Sequence, residues 1–321
     1  MRHRVRAPLS RLLAVTKLAW PLIAAVVVIV VLGIVVEQLG VLVLAAASLV
    51  WLALIAMSAL VKRGEDAEDR KELAVRMAAK TARPQVSLVP TDFEVPGLEI
   101  AAAMRPSQQV GGACFDVQPA NDGCWLTIGD VAGHGVSSGL IALLAQNSLQ
   151  AITLTKPDVT PSEAIALLSA ALFENLRSRM KQDEHITFVL LRCYDDGRVV
   201  FAGAHEDLVI YRADTGRCEI IGTRSVWLDE VKDLRDHVHQ GSFQLAMNDV
   251  LILYSDGVLE AANACDGEQG TERLFSAVEG SAPRGPEAIV TTLIEQASTW
   301  SPIQRDDLSA LVVRRLPSLA R

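Results

Sequence analysis

Two kinds of apolar patterning divide this chain. Near its start, Leu18 to Val36 and Leu39 to Val61 are free of charge and each about 20 residues long, the length that spans a bilayer. Glu37 and Gln38 separate them, so the pair reads as a tight transmembrane hairpin. From Leu98 onward the apolar positions come instead in short blocks, alternating or continuous. These predict strands over 98–104, 112–117, 124–129, 186–193, 198–203, 208–212, 218–221 and 308–313. VLILY (250–254) reads as a strand buried on both faces. Helical spacing lies between them. Ser137 or Ser138 is the expected cap of a helix running to about Ile152, with Leu140, Ile141, Leu144 and Leu149 on its apolar face. Thr160-Pro161-Ser162-Glu163 is a capping box with proline at the first helical position, and Ala164, Leu167, Leu168, Ala171 and Leu172 follow on one side. Ile289, Val290, Leu293, Ile294 and Ala297 mark a last helix. This mixed order fits two sheets between helical layers, an α+β arrangement, and not a regular βα alternation.

Charge places the ends. Arg2, Arg4, Arg6, Arg11 and Lys17 precede the first span, and Lys62 and Arg63 follow the second. Basic flanks stay on the cytoplasmic side, so the region after the hairpin is expected there too, at the inner membrane. A secretory signal peptide fits less well, because the first run exceeds an ordinary signal core and a second span follows at once. Residues 62–83, KRGEDAEDRKELAVRMAAKTAR, are charged, alanine-rich and helical in pattern. They suit a solvated juxtamembrane helix or, through Leu73, Met77 and Ala78, a connector that forms a homodimer. Pro84, Pro90 and Pro96 mark a linker. The chain thus parses as a basic N-terminus (1–17), a hairpin (18–61), a juxtamembrane helix and linker (62–97), one folded domain (98–316) and a tail (317–321). Lys plus Arg number 30 against 38 Asp plus Glu, a net charge of −8 that argues against nucleic acid as a partner. The five cysteines, Cys114, Cys124, Cys193, Cys218 and Cys265, lack metal-type spacing and read as small buried hydrophobes in a reducing compartment.

The candidate chemistry gathers on aspartates. Cys124 to Gly129 leads to Asp130, followed by the small-residue turn Val131-Ala132-Gly133-His134-Gly135. VLILYSDG ends on Asp256, and Asp306-Asp307 leads into the strand that starts at Leu308. Carboxylates at the tips of buried strands lie at one edge of a packed sheet. Three of them converging there would repel one another and raise their pKa values. Hard divalent cations, Mg²⁺ or Mn²⁺, take oxygen ligands and relieve that repulsion.

The blocks AAAMRPSQQVGG, IGDVAGHGVSSG, LILYSDGVLEA and DDLSALVV, in this order, resemble the metal-dependent serine/threonine phosphatases of the PPM (type 2C) family, in its bacterial SpoIIE-like branch. The resemblance covers roughly Leu98 to Leu316. It implies a four-layer α-β-β-α sandwich and a two-metal hydrolase in which a metal-activated water attacks phosphoserine or phosphothreonine. Carried over by position, Asp130 bridges two Mn²⁺ or Mg²⁺ ions, the Val131 carbonyl completes one, and Asp256 and Asp306 hold the other. Asp307, on the opposite face of its strand, becomes a support for these ligands. The implied substrate is a phosphorylated regulatory protein, such as an anti-sigma-factor antagonist.

One departure stands out. The branch has an aspartate directly after the paired glycines, whereas here the run is Gly111-Gly112-Ala113-Cys114-Phe115-Asp116. A methyl group can hold neither metal nor water. Reduced activity, a single ion, or a pseudophosphatase that binds a partner without turnover are the alternatives this opens. Asp116 lies three residues on, which reverses its facing. Arg105 is a candidate phosphate contact, His134 a candidate for orienting the turn or substrate, and His205 in AGAHEDLVIYR is read as structural. The glycine pair alone also suggests a diguanylate cyclase, but Ala113 and Cys114 supply no acids after it.

Overall fold

The computed structural model describes residues 20–21, 23–26, 93–108, 110–133, 135–174, 176, 185–228, 233–263, 270–301, 304 and 306–317. The chain divides into two units, Met1–Ala74 and Val75–Arg321. The predicted hairpin lies outside the described residues apart from helical positions at 20–21 and 23–26, and the 62–83 helix lies wholly outside them. No helix among the described residues is long and apolar enough to cross a membrane.

In the second unit the apolar blocks become β1 (Leu98–Arg105), β2 (Cys114–Ala120), β3 (Gly123–Val131), β4 (Ile186–Tyr194), β5 (Arg198–Ala204), β6 (Leu208–Arg212), β7 (Arg217–Ile221), β8 (Gln240–Gln244), β9 (Val250–Tyr254) and β10 (Leu308–Arg315). The helices are α1 (Val136–Thr155), α2 (Pro161–Phe173), α3 (Asp256–Asn263), α4 (Gly270–Ser281) and α5 (Pro286–Trp300). Among the described residues these strands form two five-stranded sheets, the first ordered β2-β3-β4-β5-β8 and the second β1-β10-β9-β6-β7. Every pairing is antiparallel.

Three apolar layers hold them. Leu126, Ile128, Val189 and Leu191 from one sheet meet Leu251, Leu253, Leu311 and Val313 from the other. Outside the first sheet, Trp125, Val131, Ile186 and Phe188 pack under Ile141, Leu149, Ile165 and Leu168 of α1 and α2. Outside the second, Val209, Ile252 and Val312 pack under Val258, Leu274, Ile289 and Leu293 of α3, α4 and α5. Each fully buried aliphatic side chain of this kind stabilises the fold by about 1.5–3 kcal/mol. The architecture is α+β, with the sheets face to face between helices. At the head of α2 the capping box forms: Thr160 Oγ1 accepts from the Glu163 N–H at 3.3 Å, and Glu163 Oε2 accepts from the Thr160 N–H at 3.0 Å.

Two local expectations are corrected. The cap of α1 is Gly135, not Ser137 or Ser138, because the Gly135 N–H donates to the Val110 carbonyl at 3.1 Å and pins the chain there. Ser138 Oγ donates instead to the Gly135 carbonyl. The buried face of α1 follows Ile141, Ala142, Ala145 and Leu149, which leaves Leu140 and Leu144 44% and 45% exposed. Small alanines let the helix lie close to its sheet, and the larger leucines turn outward. In α2, Leu167 and Ala171 are likewise exposed, while Ile165 takes the core.

Candidate metal centre

Asp130 is the penultimate residue of β3, paired with Thr187 on β4. Leu126 and Ile128, on its face of the strand, belong to the layer between the sheets, so Asp130 stands at the mouth of the sandwich. The other two acids come from the second sheet. β9 and β10 pair side by side up to Tyr254 opposite Ala310. Ser255 then ties the ends together: its N–H donates to the Ser309 carbonyl (3.0 Å) and its hydroxyl to the Asp307 carbonyl (2.7 Å). That bond places Asp256, the first residue of α3, beside Asp306. One carboxylate oxygen from each of Asp130, Asp256 and Asp306 lies within 4.8 Å of the others.

Such spacing is costly for bare charges. Two unit charges 4.8 Å apart repel by about 3.5 kcal/mol at an effective dielectric of roughly 20. Burial pushes the Asp130 carboxyl up to about 9, with Asp256, Asp306 and Asp307 adding to it and the Val131 N–H working against it. Asp256 rises to about 6 from burial and then Asp306, although the Gly257 N–H donates to its Oδ1 at 2.7 Å. Asp306 Oδ1 accepts the Asp307 N–H at 2.8 Å. Asp130 Oδ2 is buried with no hydrogen-bond partner. An all-oxygen donor set with one buried oxygen left over fits a hard divalent cation.

The glycine pair closes the cradle. A Cβ on Gly112 would fall 2.3 Å from the Val131 carbonyl oxygen and 2.9 Å from Asp130 Oδ1. One on Gly111 would fall 1.8 Å from Asp307 Oδ2. Backbone can approach these oxygens only where no side chain intervenes. Asp307, 1% exposed, holds this segment: Oδ1 accepts from the N–H (2.7 Å) and hydroxyl (3.1 Å) of Ser107, and Oδ2 from the Ala113 N–H (3.2 Å). The Val131 N–H donates to the Gly112 carbonyl at 3.3 Å, so the β2–β3 ladder continues past Cys114 and sets Ala113 opposite Asp130.

The remaining candidates part company. Asp116 is buried on the helix-facing side of β2, with its carboxylate accepting from Gln118 Nε2 (2.8 Å) and the Val117 N–H (2.9 Å). Burial raises its pKa, and it stands apart from the three clustered acids. Arg105 donates from Nη1 to Ser298 Oγ at 2.6 Å, so its head is engaged on α5. His134 lies outside the described residues. Two further residues neighbour the centre: His205, read above as structural, and Glu206, which carries little signal in sequence. His205 Nδ1 sits 2.9 Å from Thr187 Oγ1, which is 3.4 Å from the Asp130 carbonyl, and burial pushes this imidazole down to about 4. Glu206 is pushed up to about 7, first by burial and then by Asp256, Asp207 and Glu260. Only the apolar strand after it hinted that the 205–207 turn would reach the same sheet edge.

The family described as Stage II sporulation protein E (SpoIIE) matches the chain over residues 120–316. No curated protein matches it in sequence. Solved structures share the fold. The RsbU and RsbW domains of a Mycobacterium tuberculosis protein align with TM-score 0.58 and 20% identity over 69% of this chain; the chain spans 61% of that structure. The SiaA-PP2C domain of Pseudomonas aeruginosa aligns with TM-score 0.59 and 17% identity over 77% of this chain and 98% of its own. The catalytic domain of the serine/threonine phosphatase PstP, in complex with two manganese ions, aligns with TM-score 0.52 and 13% identity over 70% and 99% of the two chains.

Proposed function

The chain belongs to the SpoIIE family of PPM-type phosphatase domains, and from that premise we propose that it is a metal-dependent phosphatase acting on phosphoserine or phosphothreonine of a regulatory protein. The observation that carries the proposal is the convergence of Asp130, Asp256 and Asp306 within 4.8 Å, with Asp130 Oδ2 unpartnered. Mn²⁺ or Mg²⁺ held there supplies Lewis-acid activation of water and neutralises phosphoryl oxygens. Asp130 and the Val131 carbonyl offer one donor pair, and Asp256 and Asp306 the other. Asp307 fixes the glycine segment that leaves room for these donors, and Thr187 with His205 braces the backbone of Asp130. The resemblance supports an anti-sigma-factor antagonist as the kind of substrate. The apolar runs over 18–61 and their basic flanks support a membrane anchor with the catalytic unit on the cytoplasmic face, and the 62–83 pattern supports a homodimer contact. A reporter fused at the C-terminus checks the first of these by its side of the membrane.

The direct test is hydrolysis of p-nitrophenyl phosphate by the full chain with Mn²⁺. Turnover is expected to stop in EDTA and to fall about a hundredfold or more in Asp130→Asn, the scale on which losing one charge-stabilising group slows an active site. Activity indifferent to both changes removes the reading. A pseudophosphatase reading has one observation in its favour, the buried methyl of Ala113 opposite Asp130. Metal-dependent, stoichiometric capture of a phosphoprotein without turnover would select it.

A further inference from the structure

The metal centre has two donor ends of unequal strength. At one end Asp256 and Asp306 bring carboxylates from the second sheet, and one oxygen of each lies within 4.8 Å of the other and of an Asp130 oxygen. Three points no farther apart than that lie within about 2.8 Å of a common centre. A shift of under about an ångström therefore closes them on one Mn²⁺ or Mg²⁺ at bonding length. At the other end stand the Val131 carbonyl and the shared Asp130. The carboxylates that act on Asp130 are Asp256, Asp306 and Asp307, all from the segments that leave β9 and enter β10. Asp307 is spent on the backbone, with Oδ1 accepting from Ser107 and Oδ2 from the Ala113 N–H. Asp116 is spent on Gln118 and the Val117 N–H, on the helix-facing side of β2.

Position 113 is where the fold would admit a carboxylate to this weaker end. The Val131 N–H donates to the Gly112 carbonyl, which makes 112 and 131 a hydrogen-bonded pair of the β2–β3 ladder. The next pair, 113 and 130, is then of the other kind, in which facing side chains stand closest. Yet the side chain set opposite Asp130 is a methyl, fully buried. A second ion is left with one carbonyl and a share of one carboxylate toward a near-octahedral oxygen shell. It would also stand about 4 Å from the first, where two double charges repel about four times as strongly as two single ones. We propose that this centre holds a single divalent ion, on Asp130, Asp256 and Asp306, and that Ala113 sets that number. The inference rests on the metal centre of the phosphatase reading and departs from the pair of ions that the resemblance implies.

Titration of the full chain with Mn²⁺, followed by calorimetry and by electron paramagnetic resonance, tests it. The wild-type chain is expected to take one Mn²⁺ and to show the spectrum of an isolated ion. Ala113→Asp is expected to take two and to show the spectrum of coupled neighbours. Asp306→Asn is expected to weaken the wild-type ion by at least about tenfold, whereas an ion seated on Asp130 and the Val131 carbonyl alone would not respond. Two ions of similar affinity on the wild-type chain, none at all, or an Asp306→Asn chain that binds as before overturns the single ion. A folded Ala113→Asp chain that still takes one ion overturns the role of Ala113. If that variant does not fold, the wild-type count and Asp306→Asn decide. Hydrolysis of p-nitrophenyl phosphate is read separately: one bound ion without turnover removes the phosphatase reading and leaves the count standing, and turnover with two bound ions does the reverse.

Discussion

Replacing Asp130 by asparagine removes one ionisable group from the metal centre and almost no volume, so its effect on the metal-free fold is an electrostatic measurement. The Asp130 carboxyl stands at about 9 in the folded chain against an ordinary 3.8. Between those values the unfolded chain has lost the proton and the folded chain keeps it. Native stability therefore declines as pH rises through that window. At pH 7.5 the gap is nearly four pH units, which at about 1.36 kcal/mol per unit gives a ceiling near 5 kcal/mol. Asp130 is half-buried, and solvent screening brings the measurable part to about 2–3 kcal/mol. Asp256, raised to about 6, adds a smaller decline that is complete by neutral pH. Chemical unfolding followed by circular dichroism in EDTA, from pH 5 to pH 8, is the assay. The wild-type chain is expected to lose about 2 kcal/mol or more across that range. Asp130→Asn is expected to lose less and to be the more stable protein at pH 8, yet to gain nothing from Mn²⁺. A wild-type stability that is flat or rises with pH, or a variant weaker than wild type at pH 8, would refute the repulsion argued from the three acids.

Three further outcomes follow from the same geometry. Ala113→Asp sets a carboxylate across the ladder from Asp130; metal-free stability should drop by up to about 1 kcal/mol, while calorimetric titration should show tighter Mn²⁺ binding, and unchanged affinity would contradict the continued register. Gly112→Ala drives a methyl against the Val131 carbonyl and Asp130 Oδ1; the strain should cost about 1–3 kcal/mol, and Mn²⁺ binding measured by the same titration should weaken more than it does in Gly280→Ala, where a methyl meets open space. Asp307→Ala strips acceptors from Ser107 and the Ala113 N–H; for a domain of this size about 2–4 kcal/mol is expected, read as a melting temperature lower by about 5–10 °C.

The chain's pattern and its chemistry were legible to different depths. Strands such as VLILY and the final LSALVV are apolar on both faces, and continuous runs of that kind have few ways to be buried, so the centre of their shared sheet could be drawn from them. Asp130, Asp256 and Asp306 were readable because each ends or opens such a run. β8, QGSFQ, escaped notice because an edge strand needs little apolar character. α3 is only 8 residues long and opens with Asp256-Gly257, which reads as a turn. The outward leucines of α1 show the limit of periodicity: it finds an apolar stripe but not which half of a wide one meets the sheet. Arg105 illustrates another limit, since Ser298 lies 193 residues away and no local pattern announces that bond. Glu206 could not be anticipated for the same reason; its place beside Asp256 is set by where distant backbone carries it.

Asp130 rides on one leaf of the sandwich, and Asp256 and Asp306 ride on the other. A cation gripped by all three would act as a clasp across the open mouth of two stacked sheets. Magnesium tolerates little departure from bond lengths near about 2.1 Å, so its grip is sensitive to how the leaves are seated on each other. A slide of less than an ångström, set by packing among Leu126, Ile128, Leu253 and Leu311, would loosen the clasp without touching any acid. Substitutions deep between the leaves should therefore register as changes in ion affinity, and ion binding should in turn stiffen the slab from its rim inward.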